Sequence, residues 1–67
     1  MKTSEINQMT IVEIKEAIEN NENDLMHMRL NHAVNPVLDV SKFKKVRKNI
    51  ARLKTILQIK EQELKSN

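Results

Sequence analysis

Apolar residues fall three and four apart through most of this chain, the alternation that keeps side chains on one stripe of an α-helix. One seam runs Ile11, Ile14, Ile18, Asn21, Leu25, Met28 and His32; a second runs Phe43, Val46, Ile50, Leu53, Leu57, Lys60 and Leu64. Asn21 and His32 are the polar members of the first, and Lys60 interrupts the second. With no glycine and a single proline, Pro36, the chain has few places to break, so two long helices are expected on either side of it. Thr10 and Glu13 have the spacing of a capping box and start the first long helix at about residue 10. Asn35, pushed out of the helical region by Pro36, ends it near Val34. A turn over 35–39 leads to a second long helix over about 40–65, opened by Asp39 or Ser41, with Asp39 better matched to the positive end of the helix dipole. That helix frays through Ser66 and Asn67. Ahead of both, Thr3 or Ser4 as cap and Ile6 as inward residue predict a short helical turn over about 3–7, with Asn7-Gln8 as the joint.

Folding the two seams about the turn sets Met28 opposite Val46, Leu25 opposite Ile50, Asn21 opposite Leu53, Ile18 opposite Leu57 and Ile11 opposite Leu64. The predicted fold is all-α: an antiparallel two-helix hairpin with a short N-terminal helical turn, residues 1–67 forming one domain. The same register serves pairing within one chain or between two.

Composition says how such a hairpin stays folded. A chain of 67 residues buries a small core and is marginal alone. It has no cysteine, and Phe43 is its only aromatic residue of the Phe, Trp and Tyr set. Neither disulfides nor a thick core are available, so a partner is expected to supply stability. No apolar run is long enough to cross a bilayer, and residues 1–15 lack the hydrophobic stretch of a secretory signal, so a soluble intracellular protein is expected.

Charge adds direction. Residues 1–39 hold three Lys and Arg against seven Asp and Glu, and residues 40–67 hold nine against two, or −4 and +7. Between Lys42 and Lys54 lie Lys42, Lys44, Lys45, Arg47, Lys48, Arg52 and Lys54 with no acid among them. A surface helix in water normally mixes signs to gain pairs four residues apart, as Lys15-Glu19 can here, and this stretch forgoes them. Helical geometry puts Lys44, Lys45, Lys48 and Arg52 opposite or beside the seam and Arg47 and Lys54 along its edge, so the helix can pack and still present cations. Phosphate is the matching anion: its contacts gain from counterion release, and arginine adds a forked donor. Ala51 makes a small step at which a phosphate backbone can come close. The plain alternative is a solvated lysine-rich face. A membrane-surface helix fits less well, because the apolar stripe is already used by the hairpin.

Other candidates are weaker. His27 and His32 are five apart, roughly 140° round a helix, so they do not form a joint metal site; His32 is expected against Phe43 and His27 in solvent. Glu13, Glu16, Glu19, Glu22 and Asp24 have no glycine loop or nucleophile beside them, and read as a solvated face. Neither an enzyme nor a cofactor is expected. Met26, Met28 and Leu30 with Ala33 exceed what a two-helix hairpin can cover, so part of that surface should meet a partner.

The segment VRKNIARLKT, Val46 to Thr55, is similar to the signature of the bacterial-type large-subunit ribosomal protein twenty-nine family. Lys2-Thr3-Ser4-Glu5-Ile6 with Met9-Thr10 resembles that family's opening, and Leu25-Met26-His27-Met28-Arg29-Leu30-Asn31 its first long helix; the spacing from Arg29 to Ala51 agrees without a gap. The resemblance spans residues 2 to about 60. Departures gather at the turn, where Asn35 stands for a glycine and Asp39-Val40 for an Asn-Pro helix start, and Lys42 and Lys44 stand for arginines. The resemblance implies a structural protein of the large subunit that supports translation and binds large-subunit ribosomal RNA near the nascent-chain exit, beside ribosomal protein twenty-three. It also implies a place bordering the platform of trigger factor and signal recognition particle, and a cytoplasmic, ribosome-bound location, an organellar ribosome being the other setting. Neither DNA nor membrane is an expected partner. The candidate RNA contacts are Lys44, Lys45, Arg47, Lys48, Arg52 and Lys54, with Arg29 and Thr55 as secondary members. The rival reading is a helical coiled-coil module that binds an acidic partner or dimerises, with Asn21 and His32 setting register.

Overall fold

The computed structural model describes residues 2–36 and 41–65. They form α1 (Thr3–Asn7), α2 (Ile11–Val34) and α3 (Ser41–Lys65). The hairpin is antiparallel, because partners descend along α2 as they ascend along α3: His32 meets Phe43, Glu22 meets Lys54 and Lys15 meets Glu61. The molecule measures 49 × 17 × 14 Å. Two of those dimensions hardly exceed the width of one or two helices, so few side chains can escape water.

The start of α2 is as the sequence predicts. Thr10 is extended, its hydroxyl accepts from the Glu13 N–H at 3.2 Å, and the Glu13 carboxylate accepts from the Thr10 N–H at 3.3 Å. The end of α2 is Asn35, whose N–H donates to the Asn31 carbonyl at 2.8 Å. Its φ of −134° and ψ of 88° are those of a residue kept extended by the following proline, so Asn35 itself is not left-handed. The candidate cap Asp39, most of the predicted turn and the terminal Ser66 and Asn67 lie outside the described residues.

Helix α1 is corrected in one respect. Neither Thr3 nor Ser4 caps it: the N-cap is Lys2, without a side-chain cap bond, and the Glu5 and Ile6 N–H groups donate to the Lys2 carbonyl. Five residues make too short a helix to persist on local bonds. Burial of Ile6 holds it instead, in a cluster with Ile14, Leu53 and Ile56 flanked by Met9, Ala17, Ile18 and Leu57.

All the α2 seam residues are buried or half-buried, and α3 keeps the pattern from Phe43 to Lys60. Leu64 breaks it, at 66 % exposed. Lying beyond the reach of α2, it shares with Ile11 only an open depression. Ile56, off the seam, is buried because α1 covers that side of α3. Asn21 sits on the seam but donates to the Ala17 carbonyl of its own helix at 2.7 Å, so its amide does not tie α2 to α3. Lys15 reaches Glu61 on α3, 3.8 Å away, rather than Glu19.

Lys60 resolves the interruption in the second seam. Its half-buried stem continues the stripe, and Nζ donates to the Asn7 carbonyl at 2.9 Å and the Met9 carbonyl at 2.6 Å. These carbonyls end α1 and follow it, where helical partners run out, and an ammonium ion is a strong donor to them.

Candidate nucleic-acid interface

Helix α3 carries all seven cations between Lys42 and Lys54 on exposed positions. Their order along the helix divides them between two sides. Arg47 and Lys54, two turns apart, line the groove between α3 and α2 with Glu22, Leu25 and Arg29. Lys44 reaches the same edge nearer the turn, in a depression shared with Arg29, His32, Phe43 and Arg47. Lys45, Lys48 and Arg52 follow a second stripe, roughly 140° round the helix from Arg47 and Lys54. Arg52 and Thr55 border a depression with Thr3, Ala51 and Ile56, on the side where α1 packs. The candidate residues therefore make two cationic faces on one rod, and Arg29 joins the groove face from α2.

Lys54, Thr55 and Arg52 have partners within the protein. Lys54 Nζ lies 3.1 Å from the Glu22 carboxylate, a pair whose side chains are both more than half exposed, so it adds little to stability. The Thr55 hydroxyl donates to the Ala51 carbonyl at 2.9 Å, which leaves its oxygen able only to accept. A phosphate oxygen needs a donor, so Thr55 as placed cannot serve it without turning. Ala51 is exposed between the faces and borders the depressions on both sides, as a small step should.

His32 and Phe43 meet edge to face, with ring centroids 5.6 Å apart and planes at 76°. His32 Nδ1 is buried without a hydrogen-bond partner, so packing on Phe43 positions the ring. His27 is exposed and turned elsewhere. On the outer side of α2, Met26, Leu30 and Val34 follow one another four residues apart and are 51 %, 60 % and 87 % exposed, an uncovered apolar strip. Among the described residues no helix is long and apolar enough to cross a membrane.

A family model described as ribosomal L29 protein matches residues 4–60. The chain belongs to the ribosomal L29 protein family. Among relatives each named large ribosomal subunit protein uL29, that of Levilactobacillus brevis is 41 % identical over 61 residues, covering 91 % of this chain and 95 % of its own. That of Geobacillus stearothermophilus is 37 % identical over 67 residues, covering 100 % and 98 %, and that of Amoebophilus asiaticus is 37 % identical over 60 residues, covering 90 % and 97 %. No solved structure matches the chain. The L29 match takes in both cationic faces, the capping box and the α1 contact with α3. Belonging to a family of ribosomal proteins sets the enzymatic reading aside.

The sequence pattern set Arg47 and Lys54 at the seam edge, apart from Lys45, Lys48 and Arg52, but missed that Lys44 joins the groove edge. It also missed the Glu22 pairing of Lys54 and the work of Lys60. Glu22 lies two turns before Arg29 on α2, and antiparallel register alone places it near Lys54, so that pair was open to prediction. The Lys60 contacts were not, because they depend on how α1 folds back.

Proposed function

We infer that this protein is a structural constituent of the large ribosomal subunit, binding large-subunit ribosomal RNA near the polypeptide exit tunnel and so supporting translation. The observation that carries this is the acid-free cationic run of α3, fully displayed on a helix whose apolar stripe already packs on α2, in a chain of the ribosomal L29 family. Lys44, Arg47, Lys54 and Arg29 contact phosphates from the groove side, and Lys45, Lys48 and Arg52 from the other, with Thr55 as a minor contact once its hydroxyl turns from the Ala51 carbonyl. Each phosphate neutralised releases counterions, and the arginines at 29, 47 and 52 add forked hydrogen bonds. Binding only the folded form also stabilises a hairpin with so small a core.

The uncovered strip of Met26, Leu30 and Val34 supports a protein neighbour besides RNA, and ribosomal protein twenty-three is the partner the tunnel-exit position brings there. Trigger factor and signal recognition particle would dock close by, with no residue here assigned to them. The protein then resides on ribosomes in the cytoplasm.

Charge reversal of Arg47 and Arg52, one on each face, tests this reading. The double variant R47E/R52E should incorporate into large subunits at least about tenfold less well and bind their RNA with a log–log salt slope shallower by about two, while helicity by circular dichroism is unchanged. Normal incorporation would remove the contact assignment.

A further inference from the structure

Of the depressions along the hairpin, the one nearest the turn has a distinct chemistry. Among the described residues its lining is three cations, Arg29, Lys44 and Arg47, and two rings, His32 and Phe43, without an acid. The rings touch edge to face and each remains half-buried, so neither is enclosed by the seam. A seam needs an apolar side chain at position 43 but not a ring, and the other apolar seam positions are filled by Ile, Leu, Val and Met. Arg29 and Arg47 also line the next depression down the groove, so two guanidinium groups border a continuous track that leads to the rings.

A duplex RNA would meet only part of this. Its bases are stacked inside and its phosphates lie on a convex surface, so it could satisfy cations but not rings. An acidic peptide would likewise leave the rings unused. An unstacked nucleotide presents a flat base and a phosphate together, and stacking on aromatic side chains or arginine planes is how such bases are held. Resting on the RNA-binding reading above, we propose that the turn-proximal end of the groove takes an unstacked nucleotide of single-stranded RNA. The base lies against the Phe43 and His32 rings, and the flanking phosphates lie on Arg29, Arg47 and Lys44. The stripe of Lys45, Lys48 and Arg52, which has no ring beside it, is left to contact helical RNA through phosphates alone.

The test compares an unstructured oligouridine with a blunt RNA duplex, each titrated against the full chain at low salt. Phe43→Leu, which keeps the seam apolar, should weaken oligouridine binding at least about fivefold, the low end for one lost base–aromatic stack, and leave duplex binding unchanged. Independently of any variant's folding, photocross-linking of iodouridine-substituted oligouridine to the unaltered protein should give adducts at Phe43 or His32. Equal losses for both RNAs, adducts confined to the Lys45, Lys48 and Arg52 stripe, or displacement of oligouridine by polyglutamate as effective as by RNA would each overturn the nucleotide site. If duplex binds and oligouridine does not, the site fails while the RNA-binding reading stands; if neither binds, both fail.

Discussion

The two ends of the hairpin are built differently. At the end where α1 folds back, Ile6, Ile14 and Leu53 are fully buried with Ile56 almost so, and Lys60 ties down the carbonyls of Asn7 and Met9. Toward the turn the same seam continues through Leu25, Met28, His32, Phe43 and Val46, and every one of these is only half-buried. A third element makes the difference: a two-helix rod shields one stripe partially, and α1 closes it on one side. Most of the cations and the apolar strip lie away from that closed end. Stability is thus concentrated at one end of the rod, while the other end keeps its side chains available for RNA and protein to cover.

Cavity formation at the two ends should therefore cost unequally. Leu53→Ala removes a completely buried side chain from the centre of the cluster and should lower stability by about 3 kcal/mol, enough to abolish the urea transition of the free chain. Met28→Ala, at a half-buried position, should cost about 1 kcal/mol and leave a measurable transition. Equal losses would mean that α1 does not consolidate its end of the hairpin.

Next in size is the tie between α1 and α3. Lys60→Met keeps the stem and removes the ammonium ion, leaving the Asn7 and Met9 carbonyls without their donor. The expected loss is about 1–2 kcal/mol, moderated because solvent can reach part of this site. Hydrogen exchange should localise it, with faster exchange in α1 and the first turn of α2 and little change around Val46. A uniform acceleration along both long helices would show that Lys60 supports the hairpin as a whole.

The contrast between ends also explains what could be read from the sequence. The fold follows from local rules: three-four periodicity from Ile11 to His32 and from Phe43 to Lys60, the Thr10 and Glu13 box, and the restriction Pro36 places on Asn35. Each acts within a few residues, so each leaves a readable pattern. The burial of Ile56, the absence of a side-chain cap on α1 and the capping role of Lys60 depend on where α1 lands, a tertiary event with only Ile6 as its local sign. The candidate interface was legible as composition, seven cations without an acid, because a helix this thin exposes nearly every charged position. Helical geometry already parts Arg47 and Lys54 from Lys45, Lys48 and Arg52; the place of Lys44 at the groove, and of Lys54 against Glu22, required both helices in register.

The smallest expected change in stability is the most informative about that groove. Glu22 is, among the described residues, the one acid bordering the track of Arg29, Arg47 and Lys54, and its carboxylate occupies Lys54. Glu22→Gln should alter stability by about 0.5 kcal/mol or less, as expected for an exposed pair held by two flexible side chains. Its effect on RNA should be larger than its effect on folding. Removing a negative charge and releasing an ammonium ion both favour phosphate, so affinity should rise and the salt dependence should steepen by up to about one further counterion. Lys54→Gln should have the opposite effect only if Lys54 leaves Glu22 to meet phosphate. In the double variant the two changes would then fail to add, because without Lys54 the loss of Glu22 frees no cation. Strict additivity would assign Lys54 to the hairpin and leave Arg29, Arg47 and Lys44 as the cations of the groove.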